Sequence, residues 1–188
     1  MRNKQQELDQ IAADILNDNV CPDLAKSAIN MVFGEGDPDA DVMFIGEAPG
    51  RKEDESGKPF VGASGKLLSE LLEGIGLDRS KVYITSIVKF RPPNNRDPKA
   101  AEKEAFMPYL QAQLEVIKPK VIVTLGRHGA NCFLPDLKIG EAHGQPQQWN
   151  GYVLLPLYHP AVGLYNYHMR GTLAEDFAQI TQILKKLK

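Results

Sequence analysis

Glu47, Glu53, Ser86 and His159 are the side chains whose types and positions in this sequence could do chemistry. A carboxylate can hold or deprotonate water, and a histidine can donate to an atom on which negative charge develops. Each stands at the end of an apolar stretch. The two glutamates follow Val42–Ile45, the serine falls late in Val82–Val88, and the histidine comes soon after Val153–Leu155. Phe60 offers a flat apolar face and Tyr158 a second ring beside His159. Lys89, Arg91, Arg96 and Lys99 make the stretch after the serine basic. A carboxylate, a histidine, an aromatic face and a positive rim together suit hydrolysis at a nucleobase drawn out of a DNA strand. The ring would stack the base, polar groups would read its edge, and the cations would hold phosphates.

These residues meet only if the strands that carry them run parallel and end on one edge. The pattern supports that arrangement. Val42–Ile45, Val82–Val88, Val121–Leu125 and Val153–Leu155 read as strands, and the continuous apolar run of the third suits a fully buried parallel strand. Helical spacing recurs between and around them. It appears in Leu8, Ile11, Ala12, Ile15 and Leu16, then in Leu67, Leu68, Leu71, Leu72 and Ile75. It returns in Phe106, Leu110, Leu114 and Ile117, and in Leu173, Phe177, Ile180 and Leu184. Pro108 is expected to break or start the third helix, and Lys185, Lys186 and Lys188 to favour the dipole at the end of the last. The segments 19–32 and 139–150 read as irregular, Gly34–Pro38 as a turn, and the stretch after Gly46 as a polar loop reaching a helix near Ser64. Strands alternating with helices predict an α/β fold, a central four-stranded parallel sheet flanked by helices on both faces. Residues 1–188 are expected to form a single domain.

Composition narrows the class. The chain is 43% hydrophobic and 24% charged with a formal net charge of −2, so a nucleic-acid partner must be gripped by a local basic face. No apolar run reaches the roughly 18 residues that span a bilayer, and the N-terminus lacks the apolar core of a signal peptide. Cys21 and Cys132 have no short-range spacing that would bind a metal or frame a disulfide. A cytoplasmic, monomeric protein without membrane association is the expectation.

Gly46-Glu47-Ala48-Pro49-Gly50, then Glu53-Asp54, then Gly57 to Gly62, resembles the first motif of family 4 uracil-DNA glycosylases. The likeness extends to Phe33–Gly36, Val82–Thr85, Arg91–Arg96 and His159-Pro160-Ala161, and covers about residues 19–180. It implies a uracil-DNA glycosylase-like α/β/α sandwich acting on DNA. It implies that Phe60 stacks on a flipped uracil and that His159 hydrogen-bonds the base and stabilises the leaving group. Glu47 and Glu53 would line the pocket, with Glu53 the better candidate to orient water. The resemblance thus places Glu53, His159 and Glu47 in catalysis and Phe60, Ser86 and Ala48 at the base. Lys89, Arg91 and Arg96 are expected on DNA.

Two departures stand out. Family 4 enzymes hold a four-iron–four-sulfur cluster on four cysteines, and here those positions fall on Asn19, Pro22, Phe90 and Phe106. A cluster needs about four thiolates, so no redox cofactor or metal is implied, and Phe90 and Phe106 are expected to pack together in its place. The family also has asparagine after Tyr-Ile-Thr, where this chain has Ser86. A hydroxyl is smaller than an amide and rotates, which leaves the preferred base open. The leading expectation is a monofunctional DNA N-glycosylase of base excision repair that removes uracil or a related deaminated base. The alternatives are a non-catalytic DNA-binding relative and a hydrolase or binder of free nucleosides or nucleotides.

Overall fold

A computed structural model describes residues 3–187; Met1, Arg2 and Lys188, the last of which was expected near a cationic helix end, lie outside the described residues. The first helix, α1 (Lys4–Asn17), starts where Asn3 accepts from the Gln6 N–H, and buries Leu8, Ile11 and Ile15. Helix α2 (Pro22–Ser27) has Pro22 in its first turn and forms inside the stretch expected to be irregular. Proline there loses nothing, because the first N–H groups of a helix lack partners anyway.

The sheet follows: β1 (Glu35–Gly36), β2 (Val42–Gly46), β3 (Tyr83–Ser86), β4 (Val121–Leu125), β5 (Gln147–Trp149) and β6 (Tyr152–Leu157), in the order β1-β3-β2-β4-β6-β5. The four inner strands are parallel, as the apolar runs predicted. Two short antiparallel edge strands extend them, β1 on β3 and β5 on β6. Neither edge carries an apolar run, since its pairing comes from backbone groups with one side open to water.

Alternation along the strands divides the core. Met43, Ile45 and Ile122 face a layer with α1 and α5 (Ala100–Ile117), which supplies Phe106, Leu110 and Leu114. Val42, Phe44, Val121 and Val123 face the other layer. There α4 (Ala63–Gly74) supplies Leu67, Leu68 and Leu72, and the last helix, residues 169–186, supplies Leu173, Phe177 and Ile180. Pro108 does not break α5, contrary to expectation. Pro108 and Glu104, whose carbonyl loses its helical donor, both lie on the exposed face where water can serve the carbonyl.

Phe90 and Phe106 meet edge to face with ring centroids 6.0 Å apart, both buried. Cys21 stands beside them with its Sγ 4.0 Å from the Glu102 carbonyl oxygen. Phe90 and Phe106 fill two of the four positions that the resemblance would give to cluster thiolates, Asn19 and Pro22 are exposed at the other two, and this set without a thiol does not fit an iron–sulfur group.

The remaining helices are short: α3 (Arg51–Ser56), α6 (Arg127–Asn131), α7 (Ile139–Ala142) and α8 (Val162–Tyr165), before α9 (Met169–Lys186). No helix among the described residues is long and apolar enough to cross a membrane. Chain order runs from β2 outward to β3, then back across β2 to β4 and β6. The carboxyl ends of β2 and β4 therefore flank a topological switch point, where open α/β sheets form a crevice.

Candidate active site

At the end of β2 the backbone reaches Gly46, paired in register with Ser86 at the end of β3. A Cβ on Gly46 would stand 2.9 Å from two carbons of the Phe60 ring and 3.3 Å from Ser86 Oγ. The missing side chain is what lets Phe60 lie across the strand end. Phe60 is buried and left-handed, with φ +49, a conformation costing a residue with a Cβ roughly 1–2 kcal/mol. Such strain persists only where the surroundings impose it.

His159 completes the opening. Its ring is stacked against Phe60 at 5.7 Å between centroids and 30° between planes. Gly126, at φ +88 after β4, backs it; a Cβ there would come 3.3 Å from His159 Cβ. The Ala161 N–H donates to His159 Nδ1 at 3.1 Å, which assigns the proton of the neutral ring to Nε2. Burial pushes the imidazole below its usual pKa of 6.5, with Glu53 opposing. A neutral ring with a donor at Nε2 is the state that can support a base leaving as an anion.

Phe60, Ser86, Glu53, Ala48 and His159 line one cavity of about 370 Å³. An adjoining cavity of about 420 Å³ is lined by Glu47, Arg96, Asp97, Arg127, His128 and Tyr158, and shares Ala48 and His159 with the first. The two carboxylates expected in one pocket are thus divided by His159. Glu53 Oε1 accepts from the Val61 and Gly62 N–H groups, both at 2.9 Å, so this glutamate ties down the loop that carries Phe60. Glu47 Oε1 is buried without a hydrogen-bond partner among the described residues. Burial raises the Glu47 pKa, against the pull of His128 and Lys103. The polar loop expected after Gly46 includes α3, whose Asp54 is buried and accepts from the Ile29 and Asn30 N–H groups.

Of the three cations expected on DNA, Lys89 is misplaced. It is 0% exposed, and its Nζ donates to Thr85 Oγ1, the Ser86 carbonyl and Gln113 Oε1 at 2.6–2.7 Å. Its pKa lies well below the usual lysine value because of burial. Lys89 supports Ser86 from within the fold and cannot meet a phosphate. Ile87, Val88 and Phe90 around it are buried too, and that apolar setting was the available signal. Replacing Lys89 with methionine is expected to leave the salt dependence of DNA affinity unchanged, whereas loss of one phosphate contact would flatten the slope by about one. The same change strands Gln113 Oε1, so urea denaturation should show a loss of about 1–3 kcal/mol.

The other two cations stay near the opening. Arg91 donates to Asn95 Oδ1 and stands 3.9 Å from Asp54, while Arg96 makes a forked pair with Glu102 on the rim of the second cavity. Leu164 and Tyr165 line the mouth of the Phe60 cavity, and Tyr165 is 90% exposed. His128 comes close to Glu47 and Asp97 across the second cavity. Only the fold brings these three together, since their sequence spacing shows no pattern.

A sequence profile of the uracil DNA glycosylase superfamily matches residues 33–188. The chain belongs to that superfamily. It is similar to a Type-4 uracil-DNA glycosylase of Saccharolobus solfataricus, 47% identical over 94% of this chain and 86% of the relative. The Type-4 uracil-DNA glycosylase of Sulfurisphaera tokodaii is 43% identical over 94% of this chain and 84% of its own length. That of Thermotoga maritima is 37% identical over 99% of both. In this superfamily member the glycine-rich stretch from Gly46 and the His159-Pro160-Ala161 motif stand around one opening.

Proposed function

We propose that this protein is a monofunctional, hydrolytic DNA N-glycosylase that removes uracil from DNA in base excision repair, working as a cytoplasmic monomer. The observation that carries the reading is the stacked Phe60–His159 pair above Gly46 and Ser86, in a chain similar to proteins named uracil-DNA glycosylases. A flipped base enters the smaller cavity and stacks on Phe60, with Ala48 and the Ser86 hydroxyl at its edge. As the bond from base to C1′ breaks, its electron pair goes to the base, and His159 Nε2–H stabilises the charge that develops there. One such donor contributes roughly 3 kcal/mol.

Water adds to C1′ of the cationic sugar and gives up a proton to a carboxylate. Glu47 lines the adjoining cavity, which meets the first along Ala48 to Gly50 and His159, and its buried Oε1 has no partner among the described residues, which suits it to that step. Glu53 shapes the loop through Oε1 and contributes negative charge beside the cavity. Arg91 and Arg96 at the rim hold phosphates, and the exposed Tyr165 and Tyr167 meet the strand outside the opening.

The test is a single-turnover assay on oligonucleotides carrying uracil, hypoxanthine or xanthine, in single and double strands, with alkali to reveal abasic sites. Uracil release is expected, and Ser86→Asn should raise the preference for uracil over the purines by supplying a fixed donor and acceptor. DNA binding without release from wild type or Ser86→Asn would instead identify a non-catalytic relative. Release from free nucleosides with no gain on DNA would point to the nucleoside hydrolase.

A further inference from the structure

The left-handed conformation of Phe60 needs a cause, and the structure has three contacts that impose it. Glu53 holds the two residues that follow, through the Val61 and Gly62 N–H groups. Gly65 of α4 packs against the Phe60 carbonyl so closely that an added Cβ would lie 1.8 Å from the oxygen. The third contact comes from outside both motifs. Arg79 stands in a short 3-10 turn, residues 79–81, that leads into β3 and is capped by Asp78 through the Ser80 N–H at 2.8 Å. Its Nη2 donates to the Pro59 carbonyl at 2.8 Å, and its Nη1 donates to the Gly65 carbonyl at 3.3 Å and to Ser69 Oγ at 3.1 Å. The guanidinium therefore grips the residue before Phe60 with one nitrogen and the helix beneath Phe60 with the other. It does not line the base cavity.

From this geometry we infer that Arg79 is a positioning residue for base stacking, holding Phe60 across Gly46 and against His159 by fixing the Pro59 carbonyl relative to α4. The inference rests on the reading of Phe60 as the surface on which the base stacks. A planar fork with fixed nitrogens can bridge two acceptors at a set separation, which an ammonium on a flexible stem does less well. Freed of that bridge, the 59–61 segment can relax toward an ordinary backbone conformation and tilt the ring. A displacement of about 1 Å at a group that orients a substrate can cost up to about 100-fold in rate.

The experiment is a double-mutant cycle on single-turnover uracil release, with Arg79→Met, Phe60→Leu and the double variant, each corrected for its folded fraction. Arg79→Met is expected to slow release by about 10- to 100-fold at unchanged DNA affinity, and to change the rate less than about twofold when Phe60 is already leucine. Arg79→Lys, which can reach one carbonyl, should fall between wild type and Arg79→Met, and it carries the same cycle if Arg79→Met does not fold. Equal losses in both backgrounds, or no loss from either Arg79 variant, would overturn the positioning role while leaving the stacking role of Phe60 intact. A Phe60→Leu protein with wild-type rate would remove the stacking reading itself, and this inference with it.

Discussion

Changing His159 to alanine should slow single-turnover release of uracil by about 100- to 1,000-fold while leaving DNA affinity nearly unchanged, the size of effect seen when one preorganised donor to a developing anion is removed. The expectation follows from tautomer and charge together. The Ala161 N–H occupies Nδ1 and leaves Nε2 as donor, and burial keeps the ring neutral by lowering its pKa beneath 6.5. That donor needs no reorganisation when the base departs. The wild-type rate should fall as pH drops from 6.5 through the lowered pKa of the ring, and the raised pKa of Glu47 adds to the fall. The contribution of His159 to stability moves in the same direction. Between the folded pKa of His159 and 6.5 the unfolded chain binds the extra proton, so the fold loses stability as pH falls through that window. His159→Ala should lose less over the same range. A variant releasing uracil within about threefold of wild type would sink the leaving-group role.

Substituting Gly65 should have the largest effect on stability. An alanine Cβ would fall 1.8 Å from the Phe60 carbonyl oxygen and 2.1 Å from its carbon. These are backbone atoms, so no rotamer relieves the overlap, and either α4 must move off the sheet or the 59–61 loop must be expelled. A loss of at least about 3 kcal/mol in urea denaturation is expected, at the upper end for overpacked sites. Excision should be lost in whatever protein still folds. Gly74 of the same helix is the control, because a Cβ there meets nothing within 4 Å. Gly74→Ala should be neutral or stabilise by about 0.5–1 kcal/mol. Near-equal stabilities for the two variants would show that the contact at Gly65 yields easily.

How much of this was legible in the sequence depends on the range of the force that decides each feature. The four parallel strands were readable because burial on both faces demands runs such as Val121–Leu125. The two-residue β1 and the strand β5 were not, because edge pairing rests on backbone groups that every residue carries. The convergence of Phe60, Ser86 and His159 followed from strand ends sharing one edge. The division of labour between Glu47 and Glu53 did not, since it turns on which carboxylate oxygen meets the Val61 and Gly62 N–H groups across a loop. Lys89 was expected on DNA because it belongs to a basic stretch, but its neighbours Ile87, Val88 and Phe90 are apolar and buried with it. Arg79 carries no sequence signal at all. Its role exists only once α4 and the 3-10 turn are side by side.

The contact between Phe90 and Phe106 bears on how such a protein fares in a cell. Two of the four positions that the resemblance would give to cysteine are held here by rings that assemble as the chain folds. The basic loop that follows Phe90 is therefore seated by apolar packing at these two positions and not by thiolate ligands. Uracil release is therefore expected to be unchanged when the protein is produced under iron starvation or is treated with peroxide.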